Sequence, residues 1–301
     1  MLCRLDVNTR LYMRILVTGA NGQLGNELRI VLAGAISDEV FYTDRAELDL
    51  TDAKAVENFV VNNDITHIVN CAAYTNVDLA ETEKLECASV NVNAVKNIAM
   101  AADANGAKVI HISTDYVFDG TAHKPYRESD KVNPISQYGT TKRTGETALI
   151  ALAPESIIIR TAWLYSPFGK NFVKTMLRLS EEQKEISVVS DQIGTPTYAH
   201  DLAVAILAIL RCHQWVSGIY HLTDEGVCSW YDFAKSIIKL SGNSCKVKPI
   251  ASEDYPRPAA RPYYSVLDKS RIKATYGVEI PHWEDSLEDC LKRIKELQKI
   301  Q

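Results

Sequence analysis

The sequence predicts an α/β protein built on a doubly wound parallel sheet, and three observations predict it. Short apolar runs alternate with helical patterns, a glycine-rich turn joins the first run to the first helix, and the alternation stays regular to about Trp163. An apolar β-like stretch starting at Arg14 and running into the glycines opens the series; Val40 to Thr43, His67 to Cys71, Lys108 to Ile112 and Ser156 to Arg160 suit the strands that follow. Between them Asp52 to Val61, Leu85 to Asn105 and Ser136 to Leu152 have the length and spacing of helices. No internal repeat or low-complexity linker interrupts them. Beyond Trp163 the pattern becomes irregular, and PIASEDYPRPAARPYY, residues 249–264, is rich in proline.

The turn reads RILVTGANGQLG, Arg14 to Gly25, with glycines at Gly19, Gly22 and Gly25. Glycines let a backbone turn sharply and approach a pyrophosphate, whose charge is held by amide N–H groups and the positive end of the next helix. The sequence therefore predicts a Rossmann-like sheet that binds a dinucleotide, with an ordinary strand-to-helix turn as the alternative. Asn21, Gln23 and Leu24 complete the predicted cofactor loop.

Tyr138 and Lys142 stand four apart in SQYGTTKRTGE and share one helix face. A phenol with an ordinary pKa near 10 becomes a useful acid–base group when a neighbouring ammonium stabilises its phenolate. Tyr231 and Lys235 in WYDFAK repeat the spacing, so placement must choose between them. KVIHISTDYVFDG delivers Ser113 and Thr114 to the carboxyl end of a predicted strand just upstream of Tyr138, where open parallel sheets bind ligands. Tyr231 has no such strand before it, and its pair reads as helix packing and solvated charge.

With GANGQLG, CAAYTNVD at Cys71 to Asp78, STDYVFDG at Ser113 to Gly120, YGTTKRTGE at Tyr138 to Glu146 and RPYYSVLD at Arg261 to Asp268, the chain resembles the extended short-chain dehydrogenases/reductases. Within them it is similar to the reductases of dTDP-linked 4-keto sugars, over nearly everything after Met13. The resemblance implies Thr114, Tyr138 and Lys142 as catalytic hydroxyl, acid and lysine, with NADPH or NADH as cofactor. It implies cofactor contacts from Ala72, Ala73 and Tyr74, and from Asp49 and Leu50 on the adenine side. It implies substrate contacts from Thr75, Asp115 and Tyr116, and a homodimer as the assembly. Asn91 resembles the helix asparagine that supports the active-site lysine, with ordinary helix polarity as its rival. The family commonly has asparagine where Tyr264 stands. In the related 4,6-dehydratases the Thr-Asp pair is followed by glutamate; here Tyr116 follows Asp115, which argues against elimination chemistry. A reductase or epimerase of another nucleotide sugar stays open, as does a non-catalytic subunit like the regulatory subunit of methionine adenosyltransferase.

Several residues carry two readings. Asp44, after the second strand, can accept hydrogen bonds from an adenosine ribose and favours NADH, whereas Arg45 can attract the 2′-phosphate of NADPH. LDLTD is either an adenine-side element or a helix start capped by Thr51 or Asp52. Tyr74 either faces the site or packs; Trp163 either covers a sugar face or joins the core. Arg261 is read as a diphosphate ligand in preference to a surface ion pair.

The 301 residues suffice for two lobes, and the expected division is 1–12 as an N-terminal extension, 13–162 mainly dinucleotide-binding, and 163–301 mainly a smaller substrate-binding lobe with segments returning to the main sheet. The 33 basic and 38 acidic residues, net −5, argue against a nucleic-acid surface. No apolar run is long enough for a membrane span. Seven scattered cysteines, an odd number without metal-type spacing, point to a reducing cytoplasm. His67 and His111 sit in apolar strands and read as structural. No metal is expected. Glu27 matches a carboxylate that binds magnesium at the dimer interface of some relatives, but it reads as exposed helix charge.

Overall fold

The computed structural model describes residues 12–33 and 39–300. The expected N-terminal extension therefore lies, except for Tyr12, outside the described residues. Five strands and five helices hold the predicted alternation: β1 (Arg14–Thr18), α1 (Gln23–Ala33), β2 (Glu39–Thr43), α2 (Ala53–Asn62), β3 (His67–Asn70), α3 (Lys84–Ala88), α4 (Ala94–Asn105), β4 (Lys108–Thr114), α5 (Gln137–Leu152) and β5 (Ile157–Thr161). A sixth strand, Gly218–His221, returns from the irregular half and completes a sheet in the order Gly218–His221, β5, β4, β3, β1, β2. Every pairing in it is parallel. Strand order reverses between β1 and β3, so a crevice opens above their carboxyl ends.

Both faces of the sheet are covered, and this explains why its strands read as continuous apolar runs rather than alternating ones. Ile15 and Val17 of β1 join a cluster with Leu24, Leu28 and Leu32 of α1, whose four-residue spacing keeps one stripe on the sheet. Leu16 points the other way, into a cluster with Val56 and Val60 of α2 and Ile98 of α4. A third cluster, around Tyr165, Tyr198, Phe233 and Trp283, gives the C-terminal half its own core.

Local chemistry sets the helix starts that matter for the site. Asp52 caps α2 by accepting from the N–H groups of Lys54 and Ala55, so LDLTD does contain a capped helix start. Ser136 caps α5 by accepting from Gly139 N at 3.1 Å, which fixes the turn carrying Tyr138. The single helix expected from Leu85 to Asn105 is three pieces: α3, a π-helical turn Ser89–Asn93, and α4. Such a turn inserts a residue into the ladder and re-aims its neighbours. Among the described residues, no helix is long and apolar enough to cross a membrane and no cluster of three metal-ligating side chains exists. Cys71, Cys87, Cys228, Cys245 and Cys290 are free thiols.

Candidate functional site

A cleft of about 800 Å³ opens at the carboxyl ends of the strands. At its β1 end Gly19 turns with φ +63°, and a Cβ there would stand 2.8 Å from the Ala72 backbone. Only glycine lets the turn lie this close to the chain leaving β3. Gly19, Gly22, Gln23 and Leu24 line the cleft. Gly25 and Asn21 do not. A Cβ on Gly25 would meet Ala20 at 2.5 Å, so this glycine serves the packing of α1 against its own turn. The amide of Asn21 donates to Asp44 Oδ2 at 3.2 Å. Gln23 spans both halves of the chain, donating to Leu164 O and accepting from Asn171 Nδ2.

Asp44, Arg45, Asp49 and Leu50 line the cleft beyond β2, together with Glu86, which sequence reasoning missed. Arg45 lies 3.5 Å from the Glu86 carboxylate, both largely exposed. Nothing in the local sequence around α3 links Glu86 to a residue after β2.

In the middle of the cleft Tyr138 and Thr114 line the same wall. Thr114 Oγ1 donates to Asp115 Oδ1 at 2.9 Å. All three side chains are buried. Burial raises the Tyr138 phenol above its usual range and lifts Asp115 to about 6, against the hydrogen bonds from Thr114 and Ser265 that favour its charged form. The ring of Tyr116 packs edge-on against that of Tyr138, with centroids 5.5 Å apart.

Lys142, one turn beyond Tyr138, is buried and donates to Ile112 O at 2.7 Å. Its Nζ also stands 3.4 Å from His111 Nε2. Burial lowers its pKa to about 8, against the pull of Glu146. Asn91 does not support this lysine. From the π-helical turn it accepts from Tyr74 N and donates to Tyr74 O and Thr141 Oγ1, clamping the segment after β3. Ala72, Ala73 and Thr75 of that segment line the cleft, whereas the Tyr74 side chain leaves it to donate to Glu83. Tyr231 and Lys235, the rival pair, also lie outside the lining, with Lys235 Nζ over its own tyrosine ring at 5.5 Å.

Trp163 lines the opposite wall. Its backbone sits at φ +50°, and its indole stacks on Trp230 with centroids 3.6 Å apart. Trp230 also lines the cleft and was missed, although it begins the WYDFAK segment considered for its tyrosine. Arg261 is not brought into the lining: its guanidinium pairs with Asp78 at 2.9 Å and donates to Tyr116 OH at 3.0 Å. In the structure its fork is thus held by Asp78 and Tyr116. Glu27 is likewise not exposed. It is fully buried, bonded to His200 at 3.1 Å and Arg293 at 3.0 Å. Tyr264, the departure from the common motif, packs near Tyr126 with ring centroids 6.3 Å apart.

A glycine turn at the switch point of a parallel sheet, facing a tyrosine and lysine one helical turn apart, defines the class: an extended short-chain dehydrogenase/reductase. Within it, residues 13–296 match the family model described as RmlD substrate binding domain, and the chain belongs to that family. It is 41% identical over 286 residues to a dTDP-4-dehydrorhamnose reductase of Aggregatibacter actinomycetemcomitans, covering 92% of this chain and 97% of the relative. The crystal structure of a dTDP-4-dehydrorhamnose reductase from Clostridium acetobutylicum superposes with a TM-score of 0.91 at 45% identity, covering 94% of this chain and 100% of that one. A Bacillus anthracis dTDP-4-dehydrorhamnose reductase, solved in complex with NADP, gives 0.89 at 39% identity with the same coverage.

Proposed function

We propose that the chain reduces the C4 keto group of dTDP-4-dehydro-L-rhamnose to dTDP-L-rhamnose at the expense of NADPH or NADH. The observation that carries this reading is the convergence of Thr114, Tyr138 and Lys142, all buried, on one cleft at the carboxyl ends of the strands. The sugar-nucleotide substrate named for the relatives fits a site that must protonate one developing alkoxide.

The nicotinamide cofactor supplies the hydride when bound. Its pyrophosphate fits the cradle that a side chain at Gly19 would fill, and Asp44 and Arg45 stand where the adenosine ribose belongs. Thr114 holds the keto oxygen beside the Tyr138 hydroxyl, which donates its proton as charge develops on that oxygen. Lys142 holds the nicotinamide ribose and, as an ammonium, stabilises the phenolate left behind. Trp163 and Thr75 bound the sugar. Residues 13–162 mainly bind the dinucleotide and 163–301 mainly shape the substrate side, in a cytoplasmic enzyme.

The test is oxidation of NADPH and NADH with dTDP-4-dehydro-L-rhamnose, compared with other nucleotide-linked keto sugars. Turnover confined to a different keto sugar moves the substrate assignment, and tight cofactor binding without turnover on any sugar returns the chain to the class of non-catalytic subunits.

A further inference from the structure

The mechanism leaves one buried polar chain unused. Thr18 Oγ1, at the end of β1, donates to Asn70 Oδ1 at 2.7 Å, and the Ala72 backbone N–H reaches the same oxygen at 3.2 Å. A backbone N–H can only donate, so the amide oxygen of Asn70 is fixed and its Nδ2 is the group that faces His111 Nδ1 at 2.9 Å. That nitrogen must accept. A neutral imidazole that accepts at Nδ1 carries its hydrogen on Nε2, and an imidazolium would set two donors against each other. The Nε2–H therefore points at Lys142 Nζ, 3.4 Å away. An amine can accept that hydrogen, whereas an ammonium meets it donor to donor. Ile112 O accepts from Nζ in either state, so it does not discriminate.

We propose that His111 is a positioning residue for Lys142: held as its Nε2–H tautomer by the Thr18–Asn70 pair, it disfavours the ammonium and sets how readily the lysine gives up its charge. Asn70 and His111 are buried in adjacent strands, and Thr18 lines the cofactor cleft. The relay thus joins the cofactor wall to the lysine. The remaining ionisable groups around Lys142 are Glu146 on its own helix, Cys87 on α3 and Cys71 after β3, and each favours the ammonium. Glu146 is committed to Arg160 at 2.7 Å. Burial opposes them, and to burial we add the His111 N–H that meets Nζ at 3.4 Å. Burial also drives the His111 pKa well below its ordinary value, as a permanently neutral imidazole requires.

The place of Lys142 in turnover rests on the function proposed above, so the test reads the lysine directly. In protein carrying 13C-labelled lysine, the Cε resonance of Lys142, assigned by its loss in Lys142→Met, is titrated. His111→Leu keeps the site dry while removing the N–H, and the midpoint is expected to rise by roughly one pH unit. A purely structural histidine predicts an unchanged or lower midpoint, and that result overturns the proposal. If His111→Leu does not fold, Asn70→Leu, which removes the amide that holds His111 as its Nε2–H tautomer, is read in the same way; a smaller rise supports the proposal and an unmoved midpoint overturns it. The basic limb of kcat/KM is recorded alongside. A midpoint that moves while the limb stays still supports the hold of His111 on the lysine and rejects the reaction assigned to it.

Discussion

Glu146 and Arg160 form an ion pair at 2.7 Å in which neither side chain is more than 1% exposed. Arg160 Nε also reaches the other carboxylate oxygen at 2.8 Å, and Ser113 and Arg143 complete the shell. The pair joins β5 to α5 directly beneath the site.

Removing one partner leaves a buried charge without its complement, which typically costs about 3–5 kcal/mol. Arg160→Met is therefore expected to lose that much stability at neutral pH in urea denaturation. The hydrogen bonds from Arg160, Ser113 and Arg143 hold the Glu146 carboxyl below its ordinary range despite its burial. A depressed folded pKa gives stability that is present above the unfolded value near 4.5 and lost as pH falls through the folded one. The gap between wild type and variant should accordingly narrow under acid.

Asp115 has the opposite sign. Burial raises its pKa to about 6, so its ionisation disfavours the folded state progressively as pH rises from the unfolded value of 3.8 through that point. Asp115→Asn keeps an acceptor for Thr114. It should match wild type in stability below pH ~4 and exceed it by on the order of 1–3 kcal/mol at pH 8. Equal stability at both ends would show that Asp115 is better solvated than its burial implies.

Tyr138→Phe removes one hydroxyl from a packed ring. Turnover is expected to fall by about 10²–10⁴-fold, the usual contribution of a general acid, with cofactor affinity and thermal midpoint nearly level. Tyr231→Phe should change kcat by less than about twofold, because its ring lies away from the cleft lining. Near-normal kcat in the Tyr138 variant would reject the choice of acid.

Cofactor preference should follow the charges around Arg45. Glu86→Gln removes the carboxylate that lies 3.5 Å from the guanidinium, and Asp44→Ala removes a second anion, which accepts from the Arg45 backbone N–H. Each is expected to shift relative kcat/KM toward NADPH by roughly three- to tenfold, more at low salt than at high. An unchanged ratio would place the 2′ position of the ribose elsewhere.

The part of the fold that repeats in sequence was legible. Apolar runs alternating with helical patterns gave the four strands after the first within a residue or two, and Ser136 and Asp52 mark helix starts through their own side chains. The π-helical turn was not, because Ser89–Asn93 carries no local signal: its cause is the clamp between Asn91 and the backbone of Tyr74, a contact across the fold. The same limit governed the site. Tyr138, Thr114 and Lys142 lie in two motifs joined by one strand and one helix, whereas Glu86 and Trp230 reach the cleft from distant segments. The partners of Arg261 were not legible, because a motif names a guanidinium without naming its acceptors, and Asp78 is far away in sequence. Glu27 was misjudged because helix periodicity cannot announce His200 and Arg293.

The late return of Gly218–His221 to the edge of β5 bears on how the chain must be made. Ile157, Ile158 and Ile159 are fully buried in the finished protein, and their outer backbone groups pair only with that strand. A ribosome that has released β5 but not residue 221 presents an unpaired, strongly apolar sheet edge, the template on which nascent chains pair with one another. The N-terminal half cannot complete its sheet from its own residues, so truncation after residue 162 should yield aggregates rather than an isolated nucleotide-binding fragment.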